Sequence, residues 1–69
     1  MYQLNKNKLN AKIVERGMTK DGLAKDIGVE RTTLYRRLKR DKLLLSDVHA
    51  ICRSLQLSKE EACEIFLSI

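Results

Sequence analysis

The sequence contains no proline and few glycines, cysteines or aromatic residues. Its 69 residues include three glycines, two cysteines, two tyrosines and one phenylalanine. Without proline there is no obligatory helix breaker, and two cysteines in apolar helical patterns do not suggest a disulfide framework. Aliphatic side chains must therefore supply most of the core, and the abundant Leu, Lys, Arg and Glu favour helices.

Long hydrophobic runs and catalytic patterns are also missing. The longest aliphatic run covers only residues 43–45, so we expect no membrane span, and the N-terminal MYQLNKNKLN is too polar for a signal peptide. The chain has no glycine-rich phosphate loop and no nucleophile with a base and an orienting partner. We expect a soluble, intracellular protein that is not an enzyme and needs no cofactor or small-molecule substrate.

A metal site is the one alternative that the cysteines raise. His49 and Cys52 lie three residues apart on one predicted helical face, and Cys63 lies on the next helix. This set lacks the paired ligand spacing of structural zinc sites. The sequence therefore predicts no metal, with Cys52 as a core thiol and His49 partly exposed.

Positive charge is concentrated in the N-terminal part of the chain. The net charge is +5; residues 1–42 hold twelve Lys or Arg and five Asp or Glu, whereas residues 43–69 hold two and four. This asymmetry suggests one positive face with a polyanion as its partner. On charge alone, a solvated lysine-rich surface explains the composition as well.

The residues that begin and end helices predict five helices in a single domain over residues 1–69. Gly17 and Gly28 are expected to end the first two helices, while Thr19 caps the second. Ser58 and Glu61 form an S-x-x-E capping box at the fifth. The predicted helices cover about 7–16, 20–27 and 30–39, with the fourth beginning at Ser46 and the fifth at Ser58.

The most informative stretch is 18–38, MTKDGLAKDIGVERTTLYRRL. It predicts two short helices joined by a glycine turn, the second ending in a basic run, which is typical of a helix-turn-helix. Ala24 permits close helix approach and Val29 fills the turn, while Leu34 and Leu38 face the core. The outer face then carries side chains able to reach base edges: Arg31, Thr32, Tyr35 and Arg36. The alternative is an ordinary helical hairpin with a charged outer face.

Over 19–38 the chain resembles the lambda-repressor/Cro-type helix-turn-helix family of phage and bacterial regulators. The likeness continues through Leu-Ser-Asp-Val at 45–48, Leu-Gln-Leu-Ser at 55–58, Glu61 and Ile65-Phe66, which look like the last two helices of small regulators from phages of Gram-positive bacteria. The resemblance implies an all-α, compact five-helix lambda-repressor-like DNA-binding domain, with the helix-turn-helix formed by helices 2 and 3.

The resemblance also implies residue roles. Arg31, Thr32 and Arg36 match positions that usually contact bases, and Tyr35 lies beside them. Arginine offers the paired donors that match guanine O6 and N7, while lysine and helix N-termini suit phosphates. The implied phosphate-contacting residues are Lys20, Thr33 and Lys39, extended by Arg37, Arg40 and Lys42.

The chain departs from the family pattern in three places. Glu30 stands at the N-cap of the recognition helix, where Ser or Thr is common, and its carboxylate would either repel phosphate or accept from cytosine. Gly22 lies inside the second helix, at a cost of about 1 kcal/mol relative to alanine. Arg40 and Asp41 follow the recognition helix where many relatives carry glycine.

A small domain of this kind buries only about 600–1,000 Å² on DNA, so we expect a homodimer that reads two half-sites about one helical turn apart. Its interface is expected in segment 65–69, joined by Tyr2 and Leu4; alternatively, the first two residues of that segment complete the core. The expected interface residues are Ile65, Phe66, Leu67 and Ile69.

These inferences predict a sequence-specific regulator of transcription that binds double-stranded DNA. By family resemblance it is a phage or prophage repressor or Cro-like protein, which acts as a dimer on a palindromic operator in the cytoplasm of the bacterial host, associated with the nucleoid. One alternative is an antirepressor-like module that binds another protein through its C-terminal apolar surface. A basic RNA-binding helix is a third.

Overall fold

A computed structural model of the chain describes residues 3–68, and these form five α-helices. Within this range no strand occurs, although the backbones of Gln3 and Ser68 pair in an isolated antiparallel bridge. The predicted all-α, five-helix fold is confirmed, and the bounds of the second helix are as predicted. The helices are α1 (Lys6–Glu15), α2 (Lys20–Ile27), α3 (Arg31–Lys39), α4 (Leu45–Leu55) and α5 (Lys59–Phe66).

Four of the helices end in the same way, with a residue in the left-handed conformation. These residues have φ angles of 70° at Gly17, 77° at Gly28, 58° at Asp41 and 53° at Gln56. After each, the next amide donates to a carbonyl five residues back, as from Lys42 to Arg37 at 2.8 Å, which is the Schellman arrangement. Asp41 thus ends α3 at a position where the family resemblance leads us to expect glycine, since aspartate tolerates this conformation.

Side chains cap the beginnings of two helices as predicted. The Thr19 hydroxyl accepts from the Gly22 amide at 3.0 Å, and Ser58 and Glu61 exchange hydrogen bonds between side chain and backbone. The predicted start of the fourth helix at Ser46 is wrong by one residue. The helix begins at Leu45, because the Asp47 carboxylate accepts from the Leu44 amide at 3.0 Å and closes the first turn one position earlier.

All five helices contribute to one core. Val29 packs against it from the turn between α2 and α3. Val14 on α1 is 74% exposed although it is apolar, because Leu9 and Ile13 lie four residues apart on the inward face and Val14 is rotated away from it. The buried residues are Leu9, Ile13, Leu23, Ala24, Leu34, Leu38, Ile51, Leu55 and Ile65.

An ion pair joins the end of α3 to the start of α4. Among the described residues, Asp47 is the one polar residue that is buried. Arg37 Nη1 donates to both of its carboxylate oxygens, at 3.0 and 2.9 Å. With the Leu44 amide as a third donor, the carboxylate is well satisfied, so its burial is compatible with stability.

Candidate nucleic-acid interface

The outer face of α3 presents the four residues that the sequence predicts for base contacts. Leu34 and Leu38 are buried on the inner side of the helix, which fixes the rotation of α3 about its axis. The opposite side is therefore turned to solvent, and all four of its predicted residues are exposed: Arg31, Thr32, Tyr35 and Arg36.

Two of these side chains are tied to an acidic residue of α2. The Tyr35 hydroxyl donates to Asp21 Oδ1, and Arg31 Nη1 donates to Asp21 Oδ2 at 3.3 Å. The ammonium of Lys20 lies 5.9 Å from the centre of the Tyr35 ring, within the range of a cation–π contact. The first turn of α2 thus holds the first two turns of α3 through side chains as well as through the core.

The same contacts shift the acidity of both partners. The hydrogen bond from Tyr35, with a further contribution from Arg31, lowers the pKa of Asp21. The carboxylate in turn raises the pKa of Tyr35, since it accepts the phenolic proton and disfavours the phenolate. At neutral pH the contact is therefore between an ionised carboxylate and a neutral phenol.

Sequence reasoning did not single out Asp21. It precedes Arg31 by ten residues and Tyr35 by fourteen, so no helical spacing relates them. The one available signal is the glycine turn itself, which brings the N-terminal turns of α2 and α3 close together.

A basic groove with a volume of about 340 Å³ lies beside this face. Lys6 of α1, Lys20 of α2 and Lys39 of α3 all line it, together with Asn10 and Tyr35. The Lys6 ammonium donates to the backbone carbonyl of Lys39 at 3.2 Å, which links the start of α1 to the end of α3. Lysines from three helices thus line one groove, and lysine side chains suit contacts to phosphate.

The sequence predicted Lys20 and Lys39 as phosphate contacts but gave no sign that Lys6 and Asn10 lie beside them in the same groove. Their helical pattern shows only that α1 is amphipathic, whereas their proximity to α3 comes from tertiary packing. Among the other predicted phosphate contacts, Thr33 is half-buried on α3, while Arg40 and Lys42 are exposed in the turn after it.

Arg37, one of the predicted phosphate contacts, is engaged in an ion pair within the fold. Its guanidinium donates to both oxygens of buried Asp47, and its side chain is only 29% exposed. To bind phosphate it would have to leave that carboxylate buried without its cation, which is costly. Within the basic run of α3, Arg37 is therefore held in an ion pair inside the fold, whereas its neighbour Arg36 is exposed.

The predicted dimer segment is only partly available at the surface. Ile65 is 1% exposed, so it is a core residue and cannot present itself to a second copy. Phe66 is half-buried and packs against the core, whereas Leu67 is 49% exposed. Ile69 and Tyr2 lie outside the described residues.

The cysteines lie apart from this interface. Cys52 is half-buried in α4, where burial raises the pKa of its thiol, and Cys63 is exposed on α5. Within residues 3–68, no group of three His, Cys, Asp or Glu side chains is arranged to hold a metal ion. In the same range, no helix is both long and apolar enough to cross a bilayer.

Comparison with known families identifies the fold. The family model for the Cro/C1-type HTH DNA-binding domain matches residues 8–66. This range includes the whole of α2 to α5, with both the outer face of α3 and the glycine turn before it, but it excludes Lys6. Comparison with curated proteins and with solved structures gives no match.

Proposed function

We propose that this chain, which belongs to the Cro/C1-type HTH DNA-binding domains, regulates transcription by sequence-specific binding of double-stranded DNA. In this proposal α3 enters the major groove. The observation that carries it is the exposed side of α3, where four side chains suited to base contacts stand next to a groove lined by three lysines.

The side chains divide by their chemistry into base and phosphate contacts. Arg31 and Arg36 each offer a pair of donors for guanine, and Thr32 offers a hydroxyl and a methyl group. Tyr35 lies between them and reaches a thymine methyl. The proposed phosphate contacts, which provide affinity rather than sequence information, are Lys6, Lys20, Thr33, Lys39, Arg40 and Lys42.

We further propose that two copies bind a palindromic operator and exclude RNA polymerase from it. A module of this size buries about 600–1,000 Å² on DNA, and a second half-site adds both affinity and length of recognised sequence. The exposed Leu67 supports an interface near the C-terminus. By resemblance, the setting is a phage or prophage regulator acting in the bacterial cytoplasm at the nucleoid.

The experiment that tests the function is selection of bound sequences from a random pool of DNA duplexes. A palindromic consensus is expected, with half-sites about one helical turn apart. Binding to that consensus should weaken by about 1–3 kcal/mol in Arg31→Ala and in Arg36→Ala, each with relaxed preference at one base pair. Lys39→Ala should instead weaken binding to all sequences and reduce the salt slope by about 1.

Two outcomes would contradict the proposal. If no sequence is enriched, the protein-interaction alternative is favoured. If a consensus emerges but both arginine variants bind it unchanged, α3 is not the reading element that we assign.

A further inference from the structure

We propose that Asp21 is a positioning residue for DNA reading: it holds Arg31 and Tyr35 in one arrangement and so increases the ratio of specific to non-specific binding. This inference rests on the proposed function. It assigns to an acidic residue, which should oppose DNA binding by its charge, a role in selecting the sequence that is bound.

The geometry places one carboxylate between two reading side chains. Oδ1 accepts from Tyr35 and Oδ2 from Arg31, so each oxygen holds a different residue. Asp21 itself lies in the first turn of α2, which is anchored in the core by buried Leu23 and Ala24. The carboxylate thus stands on a helix that the core holds in place, and two exposed side chains are bound to it.

The contact leaves a pair of donors on Arg31 available. Arg31 uses Nη1 for Asp21, and its side chain remains 63% exposed. The edge formed by Nε and Nη2 is left to match guanine O6 and N7 as a pair of donors. Tyr35 donates its proton to Asp21, while its ring faces the Lys20 ammonium.

Ordering these side chains before DNA arrives favours the correct sequence. A long side chain that is already held loses less conformational freedom on binding, an advantage of about 2- to 12-fold for each side chain. This advantage is realised only where the arrangement matches the base edges. On other sequences the carboxylate contributes mainly repulsion of the phosphates.

Removal of the carboxylate should therefore have opposite effects on two kinds of DNA. Asp21→Ala is expected to increase affinity for a scrambled duplex about twofold to fivefold, because one negative charge near the phosphates is lost. The ratio of affinities for the selected and scrambled duplexes should fall about threefold to tenfold. Asp21→Asn retains an acceptor for Tyr35 but loses the charge that holds Arg31. Its ratio of affinities for the selected and scrambled duplexes should therefore lie between those of the wild type and Asp21→Ala.

The test measures both affinities for the full chain at several salt concentrations. The matched control is Asp26→Asn, which makes the same change in charge on the same helix and keeps an acceptor for the Ser54 hydroxyl that Asp26 binds. This control should leave the ratio of affinities unchanged. Titration of the Tyr35 ring by NMR gives an independent readout without DNA, since Asp21→Ala should return its raised pKa toward the ordinary value.

Each contrary outcome has a distinct meaning. If Asp21→Ala increases the affinity for both duplexes equally, Asp21 acts only by repelling phosphates, and the inference is overturned. An equal decrease, with a lower melting temperature, would make its role structural and also overturn it. If the wild-type chain prefers no sequence at all, the proposed function fails and this inference fails with it. If the wild type prefers one sequence and the Asp21 variants keep that preference, only this inference fails.

Discussion

Gln56 and Asp41 occupy the left-handed conformation that the chain elsewhere gives to glycine. Asp41 is partly compensated, because its carboxylate accepts from the Leu4 amide at 3.2 Å. Gln56 is exposed, and the contact that it makes to Arg16 uses its backbone carbonyl, which accepts at 3.2 Å. A left-handed residue with a Cβ costs about 1–2 kcal/mol, and nothing in the side chain of Gln56 offsets that cost.

Gln56→Gly should therefore raise the free energy of unfolding by about 0.5–1 kcal/mol, after allowance for the greater freedom of glycine in the unfolded chain. Urea denaturation provides the measurement. Gly17→Ala is the reverse substitution at another left-handed position. Because a Cβ there meets no atom within 4 Å, the expected decrease of about 1 kcal/mol in the free energy of unfolding reports the backbone conformation alone. A loss of stability in Gln56→Gly would show that the turn carries no such strain.

Glu61 gives the fold a specific dependence on acid pH. Its pairing with Lys12 and its capping bond to the Ser58 amide lower the pKa of Glu61 from 4.5 to about 2. As pH falls, the unfolded chain takes up this proton before the folded chain does. The stabilisation is complete above about pH 4.5 and is lost as pH falls toward 2.

Glu61→Gln should remove this dependence while keeping an acceptor for the cap. The melting temperature of the wild type should exceed that of the variant at pH 6, and the difference should close between about pH 4.5 and 2. Thermal melts across this range provide the measurement. Glu60→Gln, at an exposed neighbour on α5, is the control; a difference that persists at pH 2 would assign the effect to packing.

At the scale of elements, local sequence signals predict the helices well and their mutual contacts poorly. Glycines, caps and apolar spacing are local, so the bounds of α2 and the inward positions of Leu34 and Leu38 on α3 could be predicted. The Arg37–Asp47 pair and the attachment of Arg31 to Asp21 join different helices, and no periodicity encodes them. The misplaced start of α4 has a local cause, since both Ser46 and Asp47 are acceptable near a helix N-terminus.

Two neighbouring arginines on α3 should consequently differ in what they control. Arg37→Ala leaves the Asp47 carboxylate buried without its cation and should lower the free energy of unfolding by about 3 kcal/mol. Arg36→Ala, at an exposed position, should change it by less than about 0.5 kcal/mol. Urea denaturation of both variants checks this. Equal effects would mean that the ion pair between α3 and α4 contributes nothing beyond a surface contact.

At the scale of the whole molecule, packing sorts the positive charge. The C-terminal acids neutralise part of α1: Lys8 pairs with Glu64 at 3.4 Å and Lys12 with Glu61. Lys6 instead lies in the groove beside Lys20 and Lys39. Lys6, Lys20 and Lys39 are therefore gathered beside α3, at a place that the charge asymmetry of the sequence cannot locate.

The same pairing fixes the direction of α5 and provides a test of the dimer. Since Lys8 faces Glu64 and Lys12 faces Glu61, α1 and α5 run antiparallel, and Leu67 and Val14 lie at opposite ends of the pair. Both side chains are apolar and exposed, at 49% and 74%. Leu67→Asp and Val14→Asp thus make the same change in charge at matched surface positions, only one of which adjoins the proposed interface.

Sedimentation of each variant, alone and with the selected duplex, distinguishes the two ends. Leu67→Asp should weaken self-association at least tenfold, because a charge in an apolar interface loses its hydration without a partner. Val14→Asp should associate as the wild type does, and both variants should keep wild-type helicity by circular dichroism. If Leu67→Asp associates as the wild type does, the interface must lie at another exposed apolar site. Leu44 and Leu45 are also exposed leucines and would be tested next. A wild-type chain that stays monomeric on the duplex would contradict the dimer itself.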